Sequence, residues 1–409
     1  MRYRRRFAED RVREMAAYFK IVLVTGARQV GKSTLLRHVF PDNREIVFDP
    51  NQDLFGARVD PDLFLQNFSP PLILDEIQYA PELLPALKRL VDERDQAGQY
   101  ILSGSQNLMV LRNVSESLSG RVGILQLEGM APGELAERAA APSWLACWLE
   151  SSQEFIDLMR ERTSDHGLLA AVWRGSLPGL MDFPDHLVPD YLKSYVQTYL
   201  ERDIRTMADI RDLSAYGRFL GLNAALTAQE INDSKLGREL GISPPTARAW
   251  REILVHTHQW RELSPYHGNT IKRLSGRRKG HLTDTGLACW LQRIPDPEAL
   301  PVSPLFGALF ESWVVNTVFK EFQRMPLPPA IHHWRTAAGA EVDMVLEYNS
   351  RLHPIEVKCS SNLSGHDLRG LRAFRETYGS RVSDALVVYA GRETYRPAPD
   401  TIAVPWFAL

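Results

Sequence analysis

The stretch Gly26-Ala27-Arg28-Gln29-Val30-Gly31-Lys32-Ser33 decides the fold of this 409-residue chain. It lies between the short β-branched run Ile21–Val24 and the segment Ser33–Val39, which has the pattern of the first turns of a helix. A glycine-rich loop in this position directs backbone N–H groups toward phosphate oxygens at a helix N-terminus. The pattern predicts that Lys32 reaches the β- and γ-phosphates of a nucleoside triphosphate and that the Ser33 hydroxyl holds Mg²⁺. A chance glycine turn would not explain the strand–loop–helix arrangement.

The composition describes a globular chain without a strong overall charge. Hydrophobic residues make up 44% and charged residues 24%, and the formal net charge is −2. A chain of this length has room for two to four domains, and its nearly neutral balance excludes a global basic field for nucleic acid. Any contact with nucleic acid must therefore come from a local basic patch.

Cysteine spacing and hydropathy restrict the cellular setting. The three cysteines, Cys147, Cys289 and Cys359, are far apart without a C-x-x-C pair, which excludes a zinc knuckle and fits a reducing compartment. No segment approaches the ~20 apolar residues of a membrane helix, and the basic start does not lead into an apolar run. We expect a soluble, cytoplasmic protein without membrane contact.

A second apolar strand, Leu72–Leu74, ends in the carboxylates Asp75 and Glu76. Two adjacent acids at the end of a buried strand, in a chain that also has a P-loop, indicate a Walker B site. We predict that Asp75 orients the Mg²⁺ shell and that Glu76 polarises the attacking water. Without the loop, the same dipeptide would indicate no more than the start of a surface helix.

A third apolar strand, Tyr100–Leu102, leads into a polar segment that begins at Ser103. Ser105 and Gln106 are candidates for touching the γ-phosphate or the water, and a plain turn is the alternative. Arg121 follows a helical stretch, where one subunit could display an arginine finger to its neighbour. If Arg121 acts in this way, the active form is an oligomer; the alternative is a structural arginine.

Four segments together resemble an AAA+ ATPase: Gly26–Ser33, Leu72–Gln78, Ile101–Ser105 and Ser117–Arg121. The chain resembles in particular bacterial and archaeal AAA-type proteins with a C-terminal restriction-endonuclease-like domain of unknown function. The resemblance implies a parallel sheet flanked by helices, ATP with Mg²⁺ as ligand, and a homo-oligomer. The predicted catalytic residues of this part are Lys32, Glu76 and Arg121. The predicted nucleotide-binding residues are Gly26, Ala27, Arg28, Gln29, Val30, Gly31, Lys32, Ser33, Thr34, Asp75 and Ser105.

Residues 234–254 have the form of a helix–turn–helix. Gly241 ends the first helix, Ser243 caps the second, and two prolines occupy the first turn of the second helix. Two strand-like runs and the basic stretch 275–280 follow. Together these features suggest a winged helix.

This helix–turn–helix and its basic wing are the part of the chain best suited to contact DNA. A recognition helix reads base edges, and basic side chains neutralise phosphates. The predicted DNA-binding residues are Thr246, Arg248, Arg251, Lys272, Arg273, Arg277, Arg278 and Lys279. The alternative is a winged helix that packs against protein, and the basic cluster favours DNA.

Two strand-like runs near the C-terminus bring charged residues together. Glu341 and Asp343 share one face of the first run, and Glu356 and Lys358 share one face of the second. If residues 349–350 form a two-residue hairpin turn, Asp343 lies opposite Glu356, and Glu341 lies opposite Lys358. Facing carboxylates repel by up to about 1 kcal/mol unless a cation lies between them. A divalent metal, which prefers oxygen ligands, is one such cation.

Asp343, Glu356 and Lys358 resemble the Asp…Glu-x-Lys core of restriction-endonuclease-like nucleases. Glu311, on a predicted amphipathic helix, resembles the supporting glutamate of resolvase-type members. The resemblance implies Mg²⁺ or Mn²⁺ held by Glu311, Asp343 and Glu356, with Asp343, Glu356 and Lys358 as catalytic residues. The alternative is an exposed hairpin that carries a salt bridge between Glu341 and Lys358.

The predicted fold class is α/β. It comprises a P-loop parallel-sheet ATPase domain, a helical linker with a winged helix, and a C-terminal α/β restriction-endonuclease-like domain. The predicted boundaries are 1–131 for the AAA+ domain, 132–215 for the helical lid or linker, 216–296 for the winged helix and 297–409 for the endonuclease-like domain.

Three functions are compatible with these motifs. The first is an ATPase whose hydrolysis is coupled to binding or processing DNA. The second is a metal-dependent DNA nuclease gated by ATP. The third is a nucleotide-dependent switch or scaffold that binds protein partners without catalysis on them.

Overall fold

The structure is a computed structural model, with the backbone alone described at 201–203. The residues that it describes are 2–105, 118–164, 167–204, 210, 212–269, 273 and 276–409. Two candidates from the sequence, Gln106 and Lys272, lie outside these residues. Within them, no helix combines the length and the apolar composition that a bilayer crossing requires.

A five-stranded parallel sheet forms the N-terminal part of the molecule. Its strands are β1 (Ile21–Thr25), β2 (Arg44–Val47), β3 (Leu72–Asp75), β4 (Tyr100–Gly104) and β5 (Val122–Gln126). They lie in the order β2-β3-β4-β1-β5, so the predicted parallel sheet is confirmed. The helices of this part are α1 (Ala8–Tyr18), α2 (Lys32–Val39), α3 (Pro61–Asn67) and α4 (Leu83–Arg94).

Strand β1 is buried on both faces, as expected for a strand inside a parallel sheet. Ile21 and Leu23 pack into one apolar cluster with β3 and α4. Val22 and Val24 pack into a second cluster that continues through the middle of the chain to its C-terminal end. Because the strands are parallel, the segments that follow β1, β3 and β4 meet at one edge of the sheet.

The middle of the chain is helical. Its helices are α5 (Pro132–Leu135), α6 (Trp144–Glu150), α7 (Ser152–Arg160), α8 (Leu168–Arg174), α9 (Val188–Thr198) and α10 (Leu213–Ala225). A π-helical segment, Tyr199–Ile204, extends α9. Short 3₁₀ turns lie at Leu54–Gly56, Ile77–Tyr79, Pro178–Leu180, Asp185–Leu187, Pro297–Ala299, Gly379–Arg381 and Trp406–Ala408.

Two helices joined by a tight turn follow, as the sequence predicts: α11 (Asp233–Leu240) and α12 (Pro244–His256). Gly241 ends α11 with φ +69°, and the Ser243 hydroxyl accepts the N–H of Thr246 to cap α12. Three short strands flank them: β6 (Gln229–Glu230), β7 (Trp260–Pro265) and β8 (Lys279–Leu282). β8 pairs antiparallel with both β6 and β7.

The C-terminal part is built on a mixed sheet. Its strands are β9 (Ala330–Arg335), β10 (Glu341–Tyr348), β11 (Arg351–Lys358), β12 (Ala385–Tyr389), β13 (Tyr395–Ala398) and β14 (Thr401–Pro405). Its helices are α13 (Thr285–Leu291), α14 (Phe306–Phe322) and α15 (Arg369–Tyr378). Together with the strands of the preceding part, these strands form one nine-stranded sheet, β13-β14-β12-β11-β10-β9-β7-β8-β6.

The hairpin β10–β11 has the predicted two-residue turn. Tyr348 pairs with Arg351, and both Asn349 and Ser350 have positive φ, +47° and +62°. Such backbone angles belong to the type I′ turn that matches the twist of a hairpin. The paired register ends at Met344 opposite Ile355, and its continuation brings the next pair of residues, Asp343 and Glu356, to facing positions.

Candidate functional site

The P-loop depends on glycine at its first position. Gly26 has φ +147°, and a Cβ at this residue would lie 2.2 Å from the carbonyl oxygen of Leu127. Gly31, with φ +93°, turns the chain into α2. The loop can therefore hold its backbone around a ligand only because these two positions carry no side chain.

Lys32, Ser33 and Asp75 lie together at the edge of the sheet where β1, β3 and β4 end. The Lys32 ammonium donates to the loop carbonyls of Gly26 (3.0 Å) and Ala27 (2.9 Å). The Ser33 hydroxyl donates to the Asp75 carboxylate at 2.6 Å. A cation on a loop at a helix N-terminus, beside a hydroxyl–carboxylate pair, is the donor set that a triphosphate with a hydrated Mg²⁺ requires.

Asp75 is fixed by more than its bond to Ser33. The hydroxyl of Ser103, on β4, donates to the other oxygen of Asp75, and the N–H of Glu76 donates to that oxygen at 3.1 Å. Both Asp75 and Ser103 are buried. The carboxylate is therefore held in one orientation by three donors before any ligand is bound.

Glu76 takes a left-handed backbone conformation, with φ +57°. Its carboxylate accepts a hydrogen bond from the amide of Gln78 and one from the Ser105 hydroxyl at 3.4 Å. A non-glycine residue in this conformation costs about 1–3 kcal/mol and persists where the surroundings impose it. The turn after β3 thus positions the Glu76 carboxylate next to Ser105.

A cavity of about 300 Å³ adjoins the end of the P-loop. Gly31 and Thr34 form one wall, and the N-terminal segment 2–6, Met130 and Pro178 contribute to the others. Its place beside the first turn of α2 is where the nucleoside end of a ligand would lie if its phosphates occupied the loop. The lining of this cavity shows that residues outside the predicted nucleotide-binding set complete the pocket.

Arg6 ties the N-terminal segment to the P-loop. Its guanidinium donates to the carbonyl oxygens of Val30 (2.8 Å) and Glu128 (2.7 Å) and forms a buried ion pair with Glu134 at 3.2 Å. Glu134 also accepts the N–H of Phe7. A fully bonded, buried arginine of this kind holds its surroundings rigidly, so the outer wall of the loop is fixed by the chain's own start.

The region after the parallel sheet also contacts the loop. The Tyr191 hydroxyl, on α9, donates to the side-chain oxygen of Gln29 at 2.6 Å. At the end of β1, the Thr25 hydroxyl lies 3.4 Å from Nε2 of His258. Burial lowers the pKa of His258 to about 4, so this imidazole is neutral at pH 7. The P-loop at Gln29 and the end of β1 at Thr25 thus contact the helical and helix–turn–helix parts, respectively.

Arg121 lies at the opposite end of the sheet from the P-loop, because it precedes β5, which pairs in parallel with β1. Its guanidinium binds both oxygens of Asp92, at 2.6 and 2.9 Å. The Asp92 hydrogen bond raises the pKa of Arg121 above its ordinary value. This position excludes contact with the loop of its own chain, so a role at a phosphate would require a neighbouring subunit.

Four of the eight predicted DNA contacts lie at the surface of the helix–turn–helix part: Thr246, Arg248, Arg277 and Arg278. Thr246 is half-buried and the three arginines are exposed. Arg248 and Arg278 each have an acidic neighbour, Asp233 at 3.5 Å and Glu262 at 3.0 Å. These side chains are accessible to a partner, and their ion pairs are weak ones at the surface.

Three other residues of this predicted set have partners within the protein. Arg251 binds Asp233 at 3.0 Å and also Glu262, with 12% of its side chain exposed. Arg273 pairs with Glu347 at 2.7 Å and stacks over the ring of Tyr266. The third, Lys279, is buried. Each of these cations would have to leave its carboxylate partner before it could contact a DNA phosphate.

Lys279 reaches the carboxylates predicted to bind a metal. Its ammonium lies 2.5 Å from Glu311, on α14, and 3.5 Å from Asp343, on β10. Asp343 also accepts the N–H of Val357 at 2.9 Å. Burial disfavours the ammonium, but Glu311 and Asp343 outweigh this and hold the pKa of Lys279 above its ordinary value. Lys279 is therefore charged and lies between two of the three predicted metal ligands.

The third predicted ligand, Glu356, is paired with its own lysine. The Lys358 ammonium donates to Glu356 at 2.6 Å, whereas Glu341 pairs with Arg335 at 3.7 Å and not with Lys358. Burial and the charge of Asp343 raise the pKa of Glu356 to about 8. Burial and Asp343 likewise hold the pKa of Glu311 well above its ordinary value, and the two ammonium groups of Lys279 and Lys358 lie among these acids.

The carboxylate cluster thus does not have the character of a vacant cation site. Within the described ranges, no three His, Cys, Asp or Glu side chains are grouped as metal ligands. The predicted metal set of Glu311, Asp343 and Glu356 is corrected accordingly, because Lys279 takes the place between Glu311 and Asp343. The pocket at its mouth, about 380 Å³, is bounded by Lys279, Glu311 and Glu341 among others.

Sequence reasoning missed several residues that complete these sites. Ser103 and Gln78 each lie within two residues of a predicted site residue, Ser105 and Glu76. A polar side chain near the end of an apolar strand could have indicated them. No local sequence pattern indicates Arg6 or His258, because they reach the P-loop and the end of β1 only through the tertiary fold.

Family models divide the chain into three parts. Residues 18–136 match an AAA domain, residues 166–298 match a domain of unknown function (DUF8612), and residues 306–409 match another domain of unknown function (DUF4143). The first match covers the parallel sheet, the P-loop and the Walker B strand. The second covers the helix–turn–helix, and the third contains Glu311, Asp343 and Glu356.

The chain is also similar to whole proteins and to solved structures. The uncharacterized proteins Mb2031c of Mycobacterium bovis and Rv2008c of Mycobacterium tuberculosis are each 29% identical over 402 residues, 98% of this chain and 83% of the relative. Among solved structures, the Walker-type ATPase paby2304 of Pyrococcus abyssi aligns with 70% of this chain and 94% of its own, at 18% identity and a TM-score of 0.45. The Thermotoga maritima RuvB Holliday junction branch migration motor covers 63% and 89%, at 17% identity and a TM-score of 0.31. Residues 18–136 are an AAA-type P-loop ATPase domain, followed by two regions whose families have no assigned function.

Proposed function

We propose that this chain binds ATP with Mg²⁺ and hydrolyses it at the edge of its parallel sheet. The observation that carries the proposal is the group formed by Lys32, Ser33, Asp75 and Glu76, which the fold brings together from two strand ends. Lys32 and Ser33 lie at the N-terminus of α2, and Asp75 is already bonded to Ser33. This group supports the proposal because phosphoryl transfer needs a cation at the phosphates, ligands for the metal and a residue that orients the water.

Each residue has a distinct part in the proposed reaction. Lys32 leaves the loop carbonyls to donate to the β- and γ-phosphate oxygens, and Ser33 and Asp75 hold the hydrated Mg²⁺. When bound, Mg²⁺ neutralises charge on the β- and γ-phosphates. Glu76 accepts a hydrogen bond from the attacking water and orients it, while Ser105 and Gln78 fix the direction of its carboxylate.

We propose that Arg121 acts in trans within a homo-oligomer. Its place at the far end of the sheet supports this, because an arginine there can face the loop of another subunit but not its own. The bidentate pair with Asp92 would then have to open on assembly. An arginine finger supplied by a neighbour stabilises transition-state charge and is worth about 10³–10⁵ in rate.

Removal of the Lys32 ammonium tests the nucleotide site. We expect Lys32→Ala to weaken ATP binding by about 10–100-fold, because it deletes charge-assisted hydrogen bonds to phosphate. Titration of a fluorescent ATP analogue with Mg²⁺ measures the affinity. Lys20→Ala, at the start of the same sheet, is the matched control and should bind as the wild type does. Equal affinities of all three proteins would refute the assignment of the site.

A second function, DNA binding by the helix–turn–helix part, is favoured by one observation. Arg248 on α12 and Arg277 and Arg278 beside β8 are exposed on the same part, which consists of a helix–turn–helix flanked by short strands. Such groups suit contacts to phosphates on either side of a recognition helix. Arg251, Arg273 and Lys279 are not part of this surface, so the proposed footprint is smaller than the sequence suggests.

Charge reversal tests this surface. Arg248→Glu together with Arg278→Glu should weaken binding of duplex DNA and lower the slope of log affinity against log salt by about two, one for each lost phosphate contact. Fluorescence anisotropy at several salt concentrations measures both quantities. Arg89→Glu, an exposed change on the ATPase domain, should leave the slope unaltered. A wild-type protein without DNA affinity at low salt would end the proposal.

The carboxylate cluster does not support nuclease chemistry as it stands. A divalent metal at Glu311 and Asp343 would have to displace the Lys279 ammonium from its 2.5 Å contact. We therefore propose that the cluster has a structural role and joins strand β8 to α14 and β10.

A further inference from the structure

A separate cavity of about 380 Å³ lies where three parts of the chain meet. The segment after the parallel sheet contributes Met130 and Leu135, the middle helices contribute Met181, and the C-terminal part contributes Trp313 and Trp406. The two indole rings are edge to face, with centroids 5.7 Å apart. The walls thus combine apolar and aromatic side chains with charged ones, among them Lys320, Arg138 and the Arg174–Asp185 ion pair.

Lys320, on α14, lines this cavity and is only 4% exposed. Its ammonium has no hydrogen bond and no ion pair with any residue in the described part of the chain. The acids that act on it from a distance, Asp284, Glu128 and Glu134, are each bonded to other donors. Burial lowers the pKa of Lys320 to about 8. A buried ammonium without a partner is costly unless something else supplies the counter-charge.

Arg138 is a second cationic group at the same cavity. Its Nη2 donates to the carbonyl oxygens of Phe407 (3.0 Å) and Leu409 (3.2 Å), which fixes the guanidinium beside the C-terminal residues. Its Nε–H is buried and has no acceptor within the described residues. Unsatisfied buried donors are rare in native proteins and call for an explanation such as a bound ion or ligand.

We propose that this cavity binds a small organic anion with a flat apolar body, and that Lys320 supplies the counter-charge to its anionic group. The ammonium of Lys320 and the Nε–H of Arg138 favour an anionic group, and the rings of Trp313 and Trp406 favour a flat apolar body. The cavity volume is at the lower end of the range for small-molecule pockets and admits a ligand with one ring or with two fused rings. The site is distinct from the P-loop, so its occupant need not be a nucleotide.

The cavity adjoins the one beside the P-loop. Arg4, Met130 and Met181 line both cavities. Arg4 is held there by Asp182 at 3.1 Å. These shared side chains lie between an anion at Lys320 and the proposed nucleoside end of the ATP pocket. Binding of one ligand could therefore affect the other through them.

Removal of the Lys320 charge distinguishes a ligand site from a structural lysine. If the ammonium lacks a partner, Lys320→Met should keep or raise the midpoint of thermal unfolding, because it replaces an unpaired buried charge with an apolar chain of similar length. If Lys320 instead serves as the counterion of Asp284, Glu128 and Glu134, the midpoint should fall. Lys193→Met, which removes an exposed lysine on α9, is the matched control.

Binding is tested with 1-naphthoate, a flat aromatic carboxylate, titrated into the full-length protein by calorimetry. We expect saturable binding to the wild type and to Lys193→Met, at least about tenfold weaker binding to Lys320→Met, and intermediate binding to Lys320→Arg, which keeps the charge. The neutral isostere 1-naphthalenemethanol and inorganic phosphate should each bind more weakly, since the first lacks the anion and the second lacks the apolar body.

Three results would overturn the proposal. One is the absence of saturable 1-naphthoate binding by the wild type. Another is binding to Lys320→Met with wild-type affinity, which would place the ligand elsewhere. The third is a fall in the unfolding midpoint of Lys320→Met well beyond that of Lys193→Met, which would make Lys320 a structural counterion. None of these readouts depends on ATP hydrolysis, so a failed ATPase proposal would leave this one testable.

Discussion

Glu76→Gln is expected to lower ATP turnover by about 10²–10⁴-fold, the range found when a catalytic base is removed. Glutamine has nearly the same shape and can still accept a hydrogen bond, but it cannot draw a proton from the water. ATP binding should stay within about threefold of wild type, because Glu76 does not contact phosphate in this arrangement. Single-turnover phosphate release and an ATP-binding titration measure the two effects.

The matched control for this change is Glu93→Gln, which alters an exposed carboxylate on α4. It should hydrolyse ATP at the wild-type rate. If Glu76→Gln turned over ATP normally, the base would lie elsewhere and the Walker B assignment would be wrong. If it lost ATP binding as well, the left-handed turn at Glu76 would have a structural role that the substitution disturbs.

The second large effect is expected at Lys279. Lys279→Met should lower the free energy of unfolding by about 3–5 kcal/mol at pH 7, because it leaves Glu311 and Asp343 buried without their cation. The loss should shrink toward acidic pH. Burial already holds the pKa of Glu311 well above its ordinary value, so the penalty is present above that folded-state pKa and fades as the pH falls through it and the carboxyl group is protonated. Urea unfolding at several pH values measures it.

Two further proteins make this prediction specific. Lys235→Met removes an exposed lysine from the same pocket and should leave stability unaltered within about 0.5 kcal/mol. The double variant Lys279→Met with Asp343→Asn should recover part of the loss, since it removes one of the uncompensated charges. Mn²⁺ should stabilise Lys279→Met but not the wild type. A Lys279→Met protein as stable as Lys235→Met would show that the ion cluster does not hold these parts together.

The ATPase half of the molecule was predictable because its signals are local. The P-loop, the strand that ends in Asp75 and the strand before Ser105 each combine a short apolar run with the residues that follow it. Parallel strands bring such ends to one edge of a sheet, so proximity in space follows from pattern alone. Ser103 and Gln78 were not predicted, because polar residues near strand ends are common. Only the fold shows which of them contact Asp75 and Glu76.

The carboxylate cluster shows where sequence reasoning fails. Its premise was correct: the hairpin register brings Asp343 toward Glu356, and facing carboxylates need a cation. The identity of that cation could not be read from the hairpin. Asp343 receives the ammonium of Lys279, 64 residues before it and on a strand of the same nine-stranded sheet, whereas Glu356 pairs with Lys358. A partner distant in sequence leaves no trace in local spacing.

The basic residues of the helix–turn–helix part and its wing show the same limit of sequence reasoning. A run of arginines and lysines is typical of a nucleic-acid surface, yet Arg251, Arg273 and Lys279 each face an acid that the tertiary structure supplies. Charge density along the chain does not distinguish an exposed cation from one with an internal partner. Arg248, Arg277 and Arg278 keep the predicted exposure and now define a smaller surface for the DNA hypothesis.

Steady-state phosphate release by the full-length wild-type chain, in ATP with Mg²⁺ and then with the metal chelated, tests the central claim most directly. We predict turnover with Mg²⁺ that is lost on chelation, because Ser33 and Asp75 hold the metal that neutralises the phosphates. It should also rise more than linearly with protein concentration if Arg121 acts from a neighbouring subunit. A chain that bound no ATP, or released no phosphate at any concentration with Mg²⁺ present, would contradict the account.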